Sequence, residues 1–335
     1  MDATSGKVLY NNNGSARLSM ASTTKIMTAL ILCESGDLSR EITVTPEMVY
    51  VEGTSMGLKV GMKITLEDLL YGMLLSSGND AANATAIALG KTVDNFVSMM
   101  NSKAKELGLS NTHFETPSGL DGESHYTTAY DLACLTRYAL NNETFYKACS
   151  TESVTLEYDG KKVYLSNHNR LLKTYEGAIG VKTGFTKKSG RCLVSAAERG
   201  KARIIAVTLN DGNDWQDHTS MLDYGFSLVD SQQSFEEEIY KIPVFSGENS
   251  YIEVKTKPIE FSVPSGEKII KKECIYPYTF APVKKGDTLG YVEYTCNSFT
   301  VARQNLVAEN DVEALRYDSF LLRLKNSFLL IFRNI

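Results

Sequence analysis

The chain has 335 residues, of which 43% are hydrophobic and 22% charged, enough for one large core and a small second domain in a soluble protein. A formal net charge of -5, with both signs interspersed, excludes the basic face of a dedicated nucleic-acid binder, and no nucleic-acid partner is expected. Cys33, Cys134, Cys149, Cys192, Cys274 and Cys296 lie far apart, with no Cys-Xaa-Xaa-Cys pair and no histidine near enough for a zinc set. Buried free thiols are expected, a Cys274 to Cys296 disulfide being the alternative, and neither metal nor organic cofactor is implied.

Met1-Asp2-Ala3 lacks the charged and apolar regions of a secretory leader, which is expected to have been removed or left out. Lys7 to Tyr10 reads as a short strand and Asn11-Asn12-Asn13-Gly14 as a hairpin turn. A helix is predicted from Ser22 to Ser35-Gly36, with Ile26, Met27, Leu30 and Ile31 on its apolar stripe. Residues 66–76 and 80–90 read as two helices flanking the loop Ser77-Gly78-Asn79, and residues 94–107 as a third that stops at Gly108. From Val181 the pattern turns to alternation: Arg191 to Ala197 and Arg203 to Leu209 form a predicted hairpin, and a helix follows at Trp215 to Leu228. The expected fold class is α+β, a helical subdomain on an antiparallel sheet to which terminal segments contribute.

Beyond Asp230 the chain breaks into short strands punctuated by Pro243, Gly247, Pro258, Pro264, Pro277, Pro282 and Gly286. A small all-β domain over 235–308 is expected, with Asp230 to Ser234 as the linker. Plotted at the helical period, the last stretch places Tyr317, Phe320, Leu321, Leu324, Phe328, Ile331 and Phe332 on one face and Arg323, Lys325 and Arg333 off it. Too interrupted to span a bilayer, residues 311–335 read as an amphipathic helix lying on a membrane surface.

Three short motifs carry chemistry. Ser22-Thr23-Thr24-Lys25 starts a helix, so Ser22 and Lys25 share a face with Cβ atoms roughly 5 to 6 Å apart. A serine hydroxyl needs a neighbour to take its proton, and a lysine serves only where burial or an adjacent cation lowers its pKa. Lys182 of Lys182-Thr183-Gly184 would supply that cation, and the helix amino terminus would offer backbone N–H groups to an oxyanion. Read singly, these motifs are a helix cap, an interhelical loop whose Gly78 permits an unusual backbone angle, and a bulged strand. Read in order, they are the signature of an active-site serine with a lysine base: Ser77 relays a proton, Asn79 holds a substrate amide, and Lys182 and Thr183 bind a terminal carboxylate beside a strand edge opened by Gly184. His113, His125, His168 and His218 are scattered and give no Ser-His-Asp triad.

These residues resemble the serine-type D-alanyl-D-alanine carboxypeptidases, the low-molecular-mass penicillin-binding proteins. The likeness extends to Ala21 through Ala29, Leu75 to Ala82, Leu107 through Phe114, Gly119-Leu120-Asp121 and Gly180 to Gly184, covering about residues 1–230. The resemblance implies a β-lactamase/transpeptidase-like catalytic domain over 1–230, followed by the β domain and terminal helix. It implies attack by Ser22 on the bond before the terminal D-alanine of a peptidoglycan stem pentapeptide, with an acyl-enzyme that water hydrolyses. Lys25 would be the general base, Ser77 and Lys182 would return the proton, and the backbone N–H groups of Ser22 and Phe185 would form the oxyanion hole. β-Lactam antibiotics would be covalent inhibitors, and the protein would sit at the outer face of the cytoplasmic membrane.

This chain departs from the family pattern in having His168 where an arginine is common, with Arg170 two residues on, and Ser118 where His-Gly-Leu-Asp is common. His168 reads as a structural residue. Two rival readings are a β-lactamase of the same fold and a non-catalytic β-lactam-sensing or wall-binding protein. Glu115 is suitably placed for a β-lactamase loop, but Gly119 stands where that loop needs asparagine.

Overall fold

The computed structural model describes residues 1–158, 160–297 and 299–315. Two compact units divide the chain, Met1–Val229 and a second from Asp230 onward. The first is α+β. A 3₁₀ turn, Ala21–Thr24, leads into α1 (Lys25–Glu34). A short antiparallel pair, β1 (Glu41–Thr43) and β2 (Lys63–Thr65), brackets α2 (Pro46–Val49). Then come α3 (Leu66–Leu74), α4 (Asn79–Gly90), α5 (Val93–Glu106), α6 (Ala129–Ala139) and α7 (Glu143–Ser150). The hairpin β3 (Ser153–Tyr158) and β4 (Lys161–Ser166) and the short α8 (Leu171–Thr174) precede the main sheet of β5 (Ala178–Thr186), β6 (Gly190–Arg199) and β7 (Ala202–Leu209), and α9 (Asp214–Leu228) closes the unit.

The helix starts are written locally. Thr65 caps α3 by accepting from Asp68 N at 3.1 Å while Asp68 Oδ2 accepts from Thr65 N at 3.2 Å, a reciprocal capping box. Thr92, Thr128 and Asn142 cap α5, α6 and α7 in the same way, each accepting from a backbone N–H of the first turn. α1 is not the one-faced helix its stripe suggests, because Lys25 through Cys33 are all buried. A helix enclosed on all sides is the axis of a helical core, and α3, α4, α5, α6 and α7 all contact it.

The sheet order β5-β6-β7 is antiparallel throughout, with Lys182 opposite Val194 and Val194 opposite Val207. Alternation divides its two faces. Val181, Val194, Ala196 and Ile205 join the helical core, whereas Leu193, Ala197, Ile204 and Ala206 pack with Leu171, Tyr175 and Leu222 beneath α8 and α9. β5 is an edge strand, so its free side faces the 3₁₀ turn.

Two local expectations fail here. Residues 7–10 form no strand; the chain instead pairs earlier, through an Asp2 to Ile204 bridge and a Met1 N to Ile205 O bond of 2.8 Å. A tight turn with Gly6 N on Asp2 O and Ser5 N on Asp2 Oδ2 then diverts it from the sheet. Asn11 to Gly14 does turn, with Asn11 Oδ1 accepting from Gly14 N at 2.7 Å, but no hairpin is formed around it.

The second unit is all β: β8 (Ser231–Phe235) pairs with β11 (Ile259–Val263), β9 (Ile239–Phe245) with β10 (Tyr251–Lys255) and with β13 (Thr279–Phe280), and β14 (Thr288–Cys296) lies between β12 (Ile270–Ile275) and β15 (Phe299–Val307). Ile242, Val244, Val254, Val263, Val292 and Leu306 fill its core. The expected linker is therefore wrong at residues 231–234, which are ladder residues of β8 paired to Val263 through Glu260. The domain also continues past 308: Val312 bridges Val283 and Ala314 bridges Gly247, so residues 311–315 are extended rather than helical. The predicted helical stripe from Tyr317 onward lies outside the described residues. Among the described residues, no helix is long and apolar enough to cross a membrane. Cys33, Cys134, Cys149, Cys192 and Cys274 are free thiols, and Cys274 and Cys296 are not joined in a disulfide.

Candidate active site

The 3₁₀ turn places Ser22 and Lys25 on one face, as the spacing predicts, and the Lys25 Nζ to Ser22 Oγ distance is 2.9 Å. Lys25 Nζ also lies 2.6 Å from Asn79 Oδ1 and 2.7 Å from the Ser118 carbonyl oxygen. The Asn79 amide is oriented by its other end, where Nδ2 donates to Glu52 O at 2.6 Å, so Oδ1 faces the lysine. Both Oδ1 and a carbonyl oxygen are acceptors only. A neutral Lys25 amine would spend its two N–H bonds on them and leave its lone pair directed at the Ser22 hydroxyl.

The electrostatics favour that neutral state. Lys25 is 0% exposed, and its pKa is driven well below the ordinary lysine range, first by burial and then by the Lys182 ammonium, against the opposing pull of the Asp80 carboxylate. Lys182 is buried too, which alone lowers it to about 7. Its Nζ donates to Thr183 O at 3.0 Å. The two lysines thus interact through charge, while Ser22, Lys25 and Asn79 are joined directly.

Gly184 is needed for space. A Cβ there would stand 3.0 Å from Ser22 N and 3.1 Å from both Thr23 N and the Ala21 Cβ, so a side chain would push β5 back by a few tenths of an ångström from the backbone of Ser22. Thr183 and Gly184 are half-buried beside Ser22, and Phe185, whose N–H is the second expected oxyanion donor, turns its ring outward at 66% exposure.

In the second motif the expectation for glycine is corrected. Gly78 has an ordinary φ of -58°, and the left-handed residue is Ser77 at φ 57°. Gly78 is instead a matter of room, since a Cβ would meet Asp80 Oδ1 at 2.8 Å and Met56 N at 3.1 Å. Ser77 is buried next to Asn79, but no hydrogen bond links its hydroxyl to Ser22, Lys25 or Lys182 among the described residues.

Two groups that the motifs did not single out complete the surroundings. Asp80, at the start of α4, accepts from Met56 N, Gly57 N, Leu58 N and Ser55 Oγ, and so fastens the loop that carries the Glu52 carbonyl used by Asn79. Its place after Ser77-Gly78-Asn79, in the first turn of a helix, was the available signal. Ser118 contributes a backbone carbonyl, which no side-chain pattern reveals. His168 is partly exposed, and burial together with the Lys182 ammonium holds its imidazole below the usual pKa. Arg170 packs over the Trp215 ring at 5.8 Å. Glu115, the β-lactamase candidate, is engaged elsewhere: its Oε2 accepts from Ser124 N at 2.9 Å.

A family profile described as D-alanyl-D-alanine carboxypeptidase matches residues 1–213, and one described as penicillin-binding protein 5, C-terminal domain, matches residues 232–314. The chain belongs to the D-alanyl-D-alanine carboxypeptidase family. It is 35% identical over 333 residues to D-alanyl-D-alanine carboxypeptidase DacF of Bacillus subtilis, covering 95% of this chain and 86% of that protein. DacC of Escherichia coli is 30% identical over 93% of this chain and 83% of its own. Among solved structures, the carboxypeptidase DacD of Francisella tularensis is similar with a TM-score of 0.63 at 27% identity, over 94% of this chain and 92% of that one. A Streptomyces K15 DD-transpeptidase mutant has a TM-score of 0.65 at 34% identity, over 68% of this chain and 96% of its own. A carboxypeptidase of this family is a serine-type hydrolase.

Proposed function

We propose that Ser22 attacks the peptide bond before the terminal D-alanine of a peptidoglycan stem pentapeptide, outside the cytoplasm, and that water then hydrolyses the acyl-enzyme. The observation that carries this reading is the Lys25 amine, whose N–H bonds are used by Asn79 Oδ1 and Ser118 O and whose remaining valence meets Ser22 Oγ. Lys25 takes the hydroxyl proton as the Oγ to carbonyl-carbon bond forms. The developing oxyanion is held by the N–H groups of Ser22 and Phe185, at the start of the helix and on the adjacent edge strand. The amide bond breaks as the proton passes from Lys25, helped by Ser77 and Lys182, to the departing D-alanine nitrogen.

The substrate backbone would lie along the free edge of β5, its carboxylate meeting Lys182 and Thr183 and its amide meeting the unused hydrogen of Asn79 Nδ2. Asn79 then has two duties, orienting Lys25 and holding substrate. A β-lactam presents the same carboxylate and a strained amide, and would acylate Ser22 without prompt release. The amphipathic stretch from Tyr317 would attach the protein to the membrane surface.

The test is D-alanine release from a peptide ending in Lys-D-Ala-D-Ala. Release by the intact chain that is lost in Ser22→Ala is expected. No release from folded wild-type protein would sink the reading in favour of a β-lactam sensor.

A further inference from the structure

One buried histidine has no part in the scheme above, and its bonds lead to the residue before the nucleophile. His125 is 2% exposed, and both ring nitrogens are used. Glu115 N–H donates to Nδ1 at 3.0 Å, so Nδ1 carries no proton. The proton of the neutral ring must then be on Nε2, which lies 2.8 Å from Thr24 Oγ1. The Thr24 hydroxyl proton is directed elsewhere, to the Ala21 carbonyl oxygen at 2.8 Å. A one-way chain results, from Glu115 N–H through His125 and Thr24 to Ala21 O.

Ala21 is where such a chain matters. It has φ 46°, in the left-handed region that a residue with a Cβ avoids, and it directly precedes Ser22. Gly119 lies close to this carbonyl as well, where a Cβ would stand 1.9 Å from Ala21 O and 2.9 Å from Thr24 Oγ1. The strained peptide fixes the direction of the Ser22 N–H and the pitch of the turn that brings Ser22 Oγ to Lys25. Resting on the reading of Ser22 as nucleophile, we infer that His125, acting through Thr24, is a positioning residue that holds Ala21 in its strained conformation and so sets the attack geometry of Ser22.

The surroundings keep this link in one state. Glu115 and Asp121 carboxylates on the same loop favour the imidazolium, and His113 and Lys188 oppose it, but burial dominates and lowers the pKa to about 4. The Phe114 ring packs edge to face against the imidazole, with centroids 6.0 Å apart. The same loop supplies Ser118 O to Lys25 and Pro117 O to Thr28 Oγ1, so one strap meets Thr24 at the end of the turn and Lys25 and Thr28 at the start of α1.

The test compares His125→Phe, Thr24→Val, their double variant and His125→Gln in the full chain, using stopped-flow acylation by a fluorescent penicillin to separate reversible binding from the covalent step. Each single variant is expected to slow the covalent step by roughly 10- to 100-fold with reversible binding near wild type. The double variant should be no slower than the slower single, because both break one chain. His125→Gln, which restores an N–H donor toward Thr24, should recover most of the rate. Wild-type acylation in the singles, losses that multiply in the double, or a glutamine no better than phenylalanine would each overturn the inference. Should His125→Phe fail to fold, Thr24→Val and His125→Gln decide the matter. Ser22→Ala separates this from the parent reading: labelling that survives there sinks the nucleophile, whereas unchanged rates in the singles with Ser22 still labelled sink only His125.

Discussion

At Lys25 and Lys182 two lysines share one buried site, where the Lys182 ammonium makes Lys25 easier to deprotonate and burial alone lowers Lys182. The signs follow from their proposed tasks. A base must be neutral, so acylation falls as acidification protonates Lys25; a carboxylate anchor must be charged, so substrate capture falls as pH rises past the value of about 7 for Lys182. A bell-shaped pH profile of kcat/KM is expected for the pair. In Lys182→Gln the repelling charge is gone, Lys25 holds its proton to higher pH, and the acid limb should move upward; a limb that stays in place would separate the two lysines. The residues legible beforehand were those whose chemistry is packed into a few consecutive positions: Ser22 with Lys25, Ser77 with Asn79, and Lys182 to Gly184. Ser118 O and the His125 ring lie 93 and 101 positions from the groups they serve, and such partners become visible only when the chain is folded.

Among the elements, α1 holds the turn that carries Ser22 rigid because it is enclosed on every side. Leu30 is fully buried there, and Leu30→Ala should cost about 2 to 5 kcal/mol of stability, read from urea unfolding at unchanged m-value. A loss much smaller than this would mean that the helical core can close over the gap. Periodicity and a stop signal made α1, α3, α4, α5, α9 and the β6 to β7 hairpin readable. The helices α6 and α7 escape this reading although Thr128 and Asn142 cap them, and β3 and β4 are obscured by Lys161 and Lys162, adjacent exposed lysines on opposite faces that break the alternation. Lys7 to Tyr10 has the alternation of a strand but no ladder partner, since residues 1–3 already occupy the edge of β7. A strand pattern states what a segment could pair with, and only topology supplies the neighbour.

For the whole molecule, the composition changes near 230, where the two compact units divide, and the segment that reads there as a linker is a strand. Ser231 to Phe235 is polar because β8 is half-buried at the rim of its sheet, and a half-buried strand of serine and glutamine looks like a linker. The β unit's end was placed too early for a related reason, because Val312 and Ala314 join it by isolated bridges rather than a ladder. The proposed membrane attachment belongs to this scale. The full chain should cosediment with vesicles containing anionic lipid and a chain ended after Leu315 should not, with both equally active on a soluble peptide; equal sedimentation would move the attachment elsewhere.

The central claim is that Ser22 forms the covalent intermediate, and the most direct measurement is the intact mass of the protein after brief exposure to benzylpenicillin, followed by tryptic mapping. One added penicillin mass, carried by the peptide Leu18 to Lys25 and absent in Ser22→Ala, is the result expected. An adduct on any other peptide, or none on folded protein that still releases D-alanine, would contradict it.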